Sequence, residues 1–342
     1  MNKSQITDGI IYLKTLTFKR FWNGVLLLFS YYVSKITKKN YQKGFPISIA
    51  FEPTTTCNLK CPHCPSGLRQ FSRPTGNATN AIFEKLLSEV SPYLTYLIFY
   101  FQGEPYINKH FLDWVKLASQ KNIYTATSTN AHYLTEEVAE KTVLSGLSRL
   151  IISLDGANQD TYQKYRIGGN IDKVWKGIEN VVAFKKKHKS KTPFIMLQFI
   201  VFKHNEHEIE QIKAIGKELG IDKVAIKTAQ IYDYENETDF IPNNEKYSRY
   251  KKDKEKNKVT LKNNLENSCW KMWHSCVVTW DGKVVPCCFD KDATHHLGDL
   301  EKYSFNQIWQ NETYSTFRNS LLQSRKEIDI CKNCTEGTKV WA

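Results

Sequence analysis

Thr54-Thr55-Thr56-Cys57-Asn58-Leu59-Lys60-Cys61-Pro62-His63-Cys64 is the stretch on which the reading of this chain turns. It directly follows a β-branched and aromatic run at 47–52. Its cysteines stand at C-x3-C-x2-C spacing, which lets one tight loop converge three thiolates on a metal centre. Zinc, with His63 as a fourth ligand, is disfavoured because His63 adjoins Cys64 and closes a tetrahedral shell poorly. A cube of four irons held by three thiolates would leave one iron without a protein ligand, open to a substrate or cosubstrate.

Outward from the loop, the chain repeats one unit. Runs suited to strands lie at 47–52, 96–101, 124–128, 150–154, 194–202 and 223–227. Helical patterns near 80–91, 108–121, 135–145, 171–188 and 205–219 separate them. Six strands joined by helices imply parallel βα units with right-handed crossovers. The predicted fold is therefore α/β, a partial (β/α)6 barrel, and such barrels carry their chemistry at the C-terminal strand ends.

Polar motifs fall at those ends: Phe101-Gln102-Gly103-Glu104-Pro105 after the second strand, Ser128-Thr129-Asn130 after the third, and Ile152-Ser153-Leu154-Asp155-Gly156 after the fourth. Tyr165-Arg166-Ile167-Gly168-Gly169 follows. With C-x3-C-x2-C after the first strand, this order resembles the radical S-adenosylmethionine (SAM) superfamily. The resemblance implies a [4Fe–4S] cluster on Cys57, Cys61 and Cys64, whose open iron binds the amino and carboxylate groups of SAM. One electron from a flavodoxin- or ferredoxin-type donor then yields a 5′-deoxyadenosyl radical that abstracts hydrogen. It further implies SAM contacts at His63 (against adenine, where the family usually has another aromatic), Glu104 (methionine ammonium), Asn130, Ser153 (ribose) and Arg166 (carboxylate). Gln102 departs from the family's G-G-E-P, replacing its first glycine.

Nine cysteines fall in two groups, with none between 65 and 268. In the second group Trp280-Asp281-Gly282-Lys283 separates β-branched runs at 277–279 and 284–285, a hairpin signal. The hairpin delivers Cys287 and Cys288, and Cys331-Lys332-Asn333-Cys334 follows. This tail resembles the SPASM/Twitch extension of radical SAM enzymes, in the one-cluster Twitch form. The resemblance implies an auxiliary [4Fe–4S] cluster on Cys269, Cys287, Cys331 and Cys334, serving electron transfer; structural zinc is the rival. Cys276 and Cys288 are left over and read as small buried hydrophobes.

The chain has 342 residues and a net charge of +13. Residues 1–45 hold eight basic residues against Asp8, a surplus of +7, and the rest is diffuse, so no nucleic-acid face is indicated. Residues 1–42 read as a basic, helical leader in which Phe18, Phe21, Trp22, Val25, Phe29, Tyr32 and Ile36 recur at helical spacing. Two readings of that stripe stay open: a face packed on the protein's own surface, or one lying in a membrane interface. The uncharged stretch at 21–34 is too short to span a bilayer and lacks a cleavage site. A cytoplasmic protein with reduced or metal-bound thiols is expected, peripheral to the inner membrane face if the second reading holds.

The expected organisation is a leader at 1–42, a core at 46–230, a charged connector at 231–264 and the auxiliary domain at 265–342. The expected activity is radical hydrogen abstraction from a small sugar or cyclitol alcohol, or from a peptide or protein side chain. A non-catalytic iron–sulfur or redox-sensing protein is the alternative, opposed by intact Cys57, Cys61, Cys64 and Glu104.

Overall fold

The structure is a computed structural model describing residues 3–253, 258–262, 265–337 and 340. Six parallel strands, β1 (Ser48–Phe51), β2 (Tyr96–Ile98), β3 (Tyr124–Thr129), β4 (Arg149–Ser153), β5 (Phe194–Val201) and β6 (Lys223–Thr228), pair in chain order. Two helices, α1 (Lys3–Leu13) and α2 (Phe18–Thr37), precede them. The crossovers carry α3 (Pro65–Leu68), α4 (Asn80–Val90), α5 (Phe111–Gln120), α6 (Glu136–Leu144), α7 (Gln159–Gln163), α8 (Ile171–Lys187) and α9 (Ile209–Glu218). β6 is an edge strand, so the barrel stays open.

Local chemistry fixes the helix starts. Thr79, Thr135 and Asn170 occupy N-cap positions, their side chains accepting from the backbone N–H of Ile82, Val138 and Lys173. Phe51, Phe83 and Trp114 interlock between sheet and helices with ring centroids 5.3 to 5.5 Å apart. Strand β5 is buried along most of its length, as a strand covered on both faces must be. Strand β2 is shorter than the 96–101 run suggests. The chain leaves the ladder after Ile98 and turns through Gly103, at φ +73°, into a 3-10 turn at Pro105–Ile107.

The tail continues this same sheet. Strand β7 (Tyr250–Asp253) pairs with β8 (Lys258–Leu261) as a separate ribbon. After α10 (Lys271–His274), β9 (Ser275–Val278) lies parallel to β1, and β10 (Lys283–Val285) returns antiparallel to it, forming the hairpin expected from Asp281-Gly282. A two-residue β11 (Gly298–Asp299), α11 (Phe305–Gln310) and α12 (Glu312–Ser324) complete it. Arg73 and Glu52 form a buried bidentate pair at 2.6 and 2.8 Å, and Glu52 also accepts from Trp280 N. The Trp280 ring lies over Gly76, where a Cβ would stand 2.6 Å from it. Core and tail are thus joined by a strand ladder, an ion pair and an aromatic contact.

The leader is helical, and it settles on the core with its polar side. Leu27 and Tyr31 are buried, but so are Arg20, Asn23, Ser30 and Ser34. Arg20 donates to the carbonyls of Thr15, Ser91, Lys121 and Asn122 at 2.5 to 3.0 Å. Asn23 both accepts from and donates to the Phe45 backbone. Of the two readings of the stripe, the one that packs it on the protein's own surface does not hold: the stripe is exposed, because these polar residues find backbone partners that apolar side chains could not satisfy.

The expected charged connector lies partly outside the described residues, at 254–257 and 263–264. Its remainder does more than connect. Ile231, Ile241, Tyr250 and Val259 are buried with Leu59 and Cys61 of the cysteine loop. The Tyr250 hydroxyl accepts from Ile231 N at 2.9 Å and donates to Asn333 Oδ1, tying this segment to the C-x2-C pair.

Candidate active site

The C-terminal ends of β1 to β4 surround a cavity of about 260 Å³. Cys57, Cys61 and Cys64 line it, and so do all five side chains singled out from the sequence: His63, Glu104, Asn130, Ser153 and Arg166. The cysteine loop leaves β1 and is clamped from below. Gly67 in α3 packs so closely that a Cβ there would stand 2.5 Å from Cys61 N. Gly103 holds its left-handed turn where a Cβ would meet the Thr54 carbonyl at 2.3 Å.

Glu104 is the most tightly fixed polar group. Its carboxylate accepts from Thr129 Oγ1 at 2.8 Å, Asn130 N at 2.8 Å and Tyr106 N at 3.4 Å, and it is 2% exposed. Burial pushes its pKa up to about 7, against the pull of those hydrogen bonds. A buried carboxylate with three donors behind it is prepared for a cation in front.

Asn130 reaches the cysteine loop directly, donating to Asn58 Oδ1 at 2.8 Å with Nδ2 3.9 Å from Cys57 Sγ. Arg166 pairs through Nε with Asp155 Oδ2 at 2.6 Å, and its other arm points 4.0 Å from Cys61 Sγ. Although burial opposes it, Asp155 holds Arg166 charged. Ser153 Oγ meets Ser128 Oγ at 3.1 Å. His63 lies under Phe240 at 4.4 Å, with Glu237 3.4 Å from Nδ1. Its Nε2 is buried without a hydrogen-bond partner among the described residues, and burial lowers its pKa.

The three thiols are free, and burial drives Cys57 up to about 12 and raises Cys61. Among the described residues no three Cys, His, Asp or Glu side chains are grouped to grip a single metal ion. The thiols instead border a cavity, with the Asn130 amide and Arg166 guanidinium beside two of the sulfurs, an environment suited to a thiolate-held cluster.

The tail thiols gather around a buried arginine. Arg325 Nη2 lies 3.4 Å from Cys334 Sγ, and charge coupling links it to Cys269 and Cys331. Cys287 in turn has Cys269 and Cys334 among its charge neighbours. Gly337 abuts Cys269 Sγ so tightly that a Cβ would come within 2.3 Å. Cys276 is buried in the main core, as a small hydrophobe would be. Cys288 is not: it is exposed, with Lys271 Nζ 3.9 Å from its sulfur, because the hairpin end that leaves Cys287 half-buried turns its neighbour outward.

Several residues at the site escape a sequence reading. Lys291 comes from the tail yet lines the cavity, its Nζ 4.5 Å over the Tyr232 ring. Burial lowers its pKa, and its charge neighbours include Cys64 of one thiol set and Cys288 near the other. Tyr100 also lines the cavity and feels Cys288. Only the long-range pairing of β9 with β1 brings these together, and no local motif announces it.

A sequence model of the radical SAM superfamily matches residues 51–214, and one of SPASM, an iron–sulfur cluster-binding domain, matches residues 269–335. The AdoMet-dependent heme synthase of Methanosarcina barkeri is 25% identical over 299 residues, 78% of this chain and 82% of that protein. The PqqA peptide cyclase of Bradyrhizobium diazoefficiens is 24% identical over 313 residues, 85% of this chain and 79% of its own. Streptococcus suis SuiB bound to S-adenosylmethionine shares the fold with a TM-score of 0.62 at 16% identity, over 84% of this chain and 70% of that one. With cysteine loop, strand-end motifs, architecture and both matches in agreement, the chain belongs to the radical SAM superfamily and is an enzyme of its SPASM-bearing branch, which uses SAM and [4Fe–4S] clusters.

Proposed function

We propose that this enzyme abstracts hydrogen from an alcohol group of a small sugar or cyclitol, or from a peptide side chain. When bound, SAM and a cluster on Cys57, Cys61 and Cys64, given one electron by a flavodoxin- or ferredoxin-type donor, supply the 5′-deoxyadenosyl radical. The chain's residues then hold and screen the reactants. Glu104 receives the methionine ammonium, and this one buried, triply supported carboxylate beside the three thiols carries the reading. Arg166, oriented by Asp155, offers charge to the carboxylate end and the Cys61 sulfur. Ser153 faces ribose, Asn130 braces the loop, and His63, pressed by Phe240, walls the adenine side and excludes water. Lys291, in the cavity wall with its Nζ over the Tyr232 ring, meets the substrate, and Cys269, Cys287, Cys331 and Cys334 hold the auxiliary cluster that takes up or relays an electron.

Glu104→Gln keeps the shape but removes the charge, so SAM affinity should fall about tenfold to a hundredfold, the range of a charge-assisted hydrogen bond. Because Glu104 is raised to about 7 and SAM's ammonium favours its ionised form, binding below that pH releases a proton. Affinity should therefore weaken as pH falls through 7 in the native enzyme and stay flat in Glu104→Gln. Equilibrium dialysis of SAM from about pH 6 to about pH 8 checks both. Identical affinities and pH profiles would remove Glu104 from the SAM site.

A further inference from the structure

We infer that the outward face of the two N-terminal helices docks on an anionic lipid surface. In α2 the usual arrangement is inverted. Polar Arg20, Asn23, Ser30 and Ser34 face the protein, while Phe18, Phe21, Trp22, Phe29, Tyr32 and Ile36 face outward. Phe18 and Ile36 are each 79% exposed, Phe21 56% and Trp22 49%. Helix α1 and its turn extend the face with exposed Ile6, Ile10, Leu13 and Leu16. An apolar stripe the length of a 20-residue helix, about 30 Å, far exceeds the scattered apolar exposure of ordinary surfaces.

Charge selects the occupant. Exposed Lys14, Lys19, Lys38, Lys39 and Lys43 fringe the face. At about 100° per residue, Lys19 and Lys35 fall on opposite flanks of the α2 stripe, Lys35 being paired with Glu266 at 3.3 Å, so that the five other lysines carry the attraction. The leader's one acid, Asp8, is buried against Tyr124 and Arg149 and offsets nothing outside. A second copy of the chain would bring like-charged fringes together, whereas anionic headgroups complement them. No helix among the described residues is long and apolar enough to cross a membrane, so the face lies in the interface plane. Docking leaves the fold intact because the inner face keeps its own partners. Tyr31 contacts Trp270 and Trp273 at 5.3 and 5.5 Å.

The test uses the whole chain with vesicles of phosphatidylcholine alone or with about a third phosphatidylglycerol, at about 0.1 M salt. Co-sedimentation should be at least about tenfold stronger with the anionic vesicles and should fade as salt rises to about 0.5 M. Phe21→Ser, Trp22→Gln and Phe29→Ser together should weaken it at least about tenfold. Lys14→Gln, Lys19→Gln, Lys38→Gln and Lys39→Gln should each weaken it by up to about fivefold. Circular dichroism and iron content should be unchanged in every variant, since all these side chains are exposed. The inference is overturned if neither vesicle captures the intact chain, or if the aromatic variant binds as well as the native protein. It is equally overturned if the native chain is a dimer that the aromatic variant splits while vesicles bind neither, for the face would then belong to a second copy.

Discussion

Replacing Cys57, Cys61 and Cys64 together by Ala is expected to halve the iron of the anaerobically prepared protein, from about eight to about four per chain. SAM cleavage should fall to background. The expectation rests on two thiol sets with separate supports. The loop set sits between β1 and α3 with Asn130 and Arg166 beside its sulfurs, while Cys269, Cys331 and Cys334 of the tail set lie by Arg325. Removing three sulfurs trims the small cluster in which Cys61 packs with Leu59, Ile231 and Val259, but it cuts no strand pairing, so circular dichroism should keep its native shape. Iron analysis and chromatography of the nucleoside product read the two effects separately. Zinc without iron, even after reconstitution, would show that the loop holds a different centre.

The second large effect should come from the tail. Cys331→Ser is expected to lose the other four or so irons while SAM cleavage persists. Substrate turnover should be abolished, because the electron left after hydrogen abstraction has no acceptor. Tyr100 and Lys291 line the cavity and have Cys288, the chain neighbour of Cys287, nearby, so a cluster on the tail thiols would stand close to the cavity. Loss of Cys331 also strips a partner from Arg325, which is 1% exposed and held by the Ser268 and Glu336 carbonyls. An Arg325→Lys control, keeping charge and all four thiols, should retain iron. If Cys331→Ser keeps full iron, the ligand set is wrong, and Cys288, beside Lys271, is the first replacement to consider. If iron is lost and turnover survives, the cluster is not an electron acceptor.

What could be read from sequence followed physical range. Alternation of β-branched runs with amphipathic helices is a local signal, and it located all six core strands and the five longer crossover helices to within a few residues, but not the short α3 and α7. The strand-end motifs were legible because a parallel barrel puts every strand's C-terminal end at one mouth. The leader shows the limit. Periodicity found the Phe18 to Ile36 stripe but could not tell which side was covered, because the partners of Arg20 and Asn23 are carbonyls at 91, 121, 122 and 45. The exposed position of Cys288, the reach of Lys291 into the cavity and the packing of 231–250 over the cysteine loop depend likewise on contacts between distant segments.

SAM cleavage in this chain should depend on the three loop thiols. The most direct measurement mixes the anaerobic, iron-loaded full chain with SAM and dithionite and follows 5′-deoxyadenosine and methionine over time. Both should appear in equal amounts, slowly without the true substrate, and neither should form with Cys61→Ala. Intact SAM in the presence of a full iron complement, or equal cleavage by Cys61→Ala, would contradict that dependence.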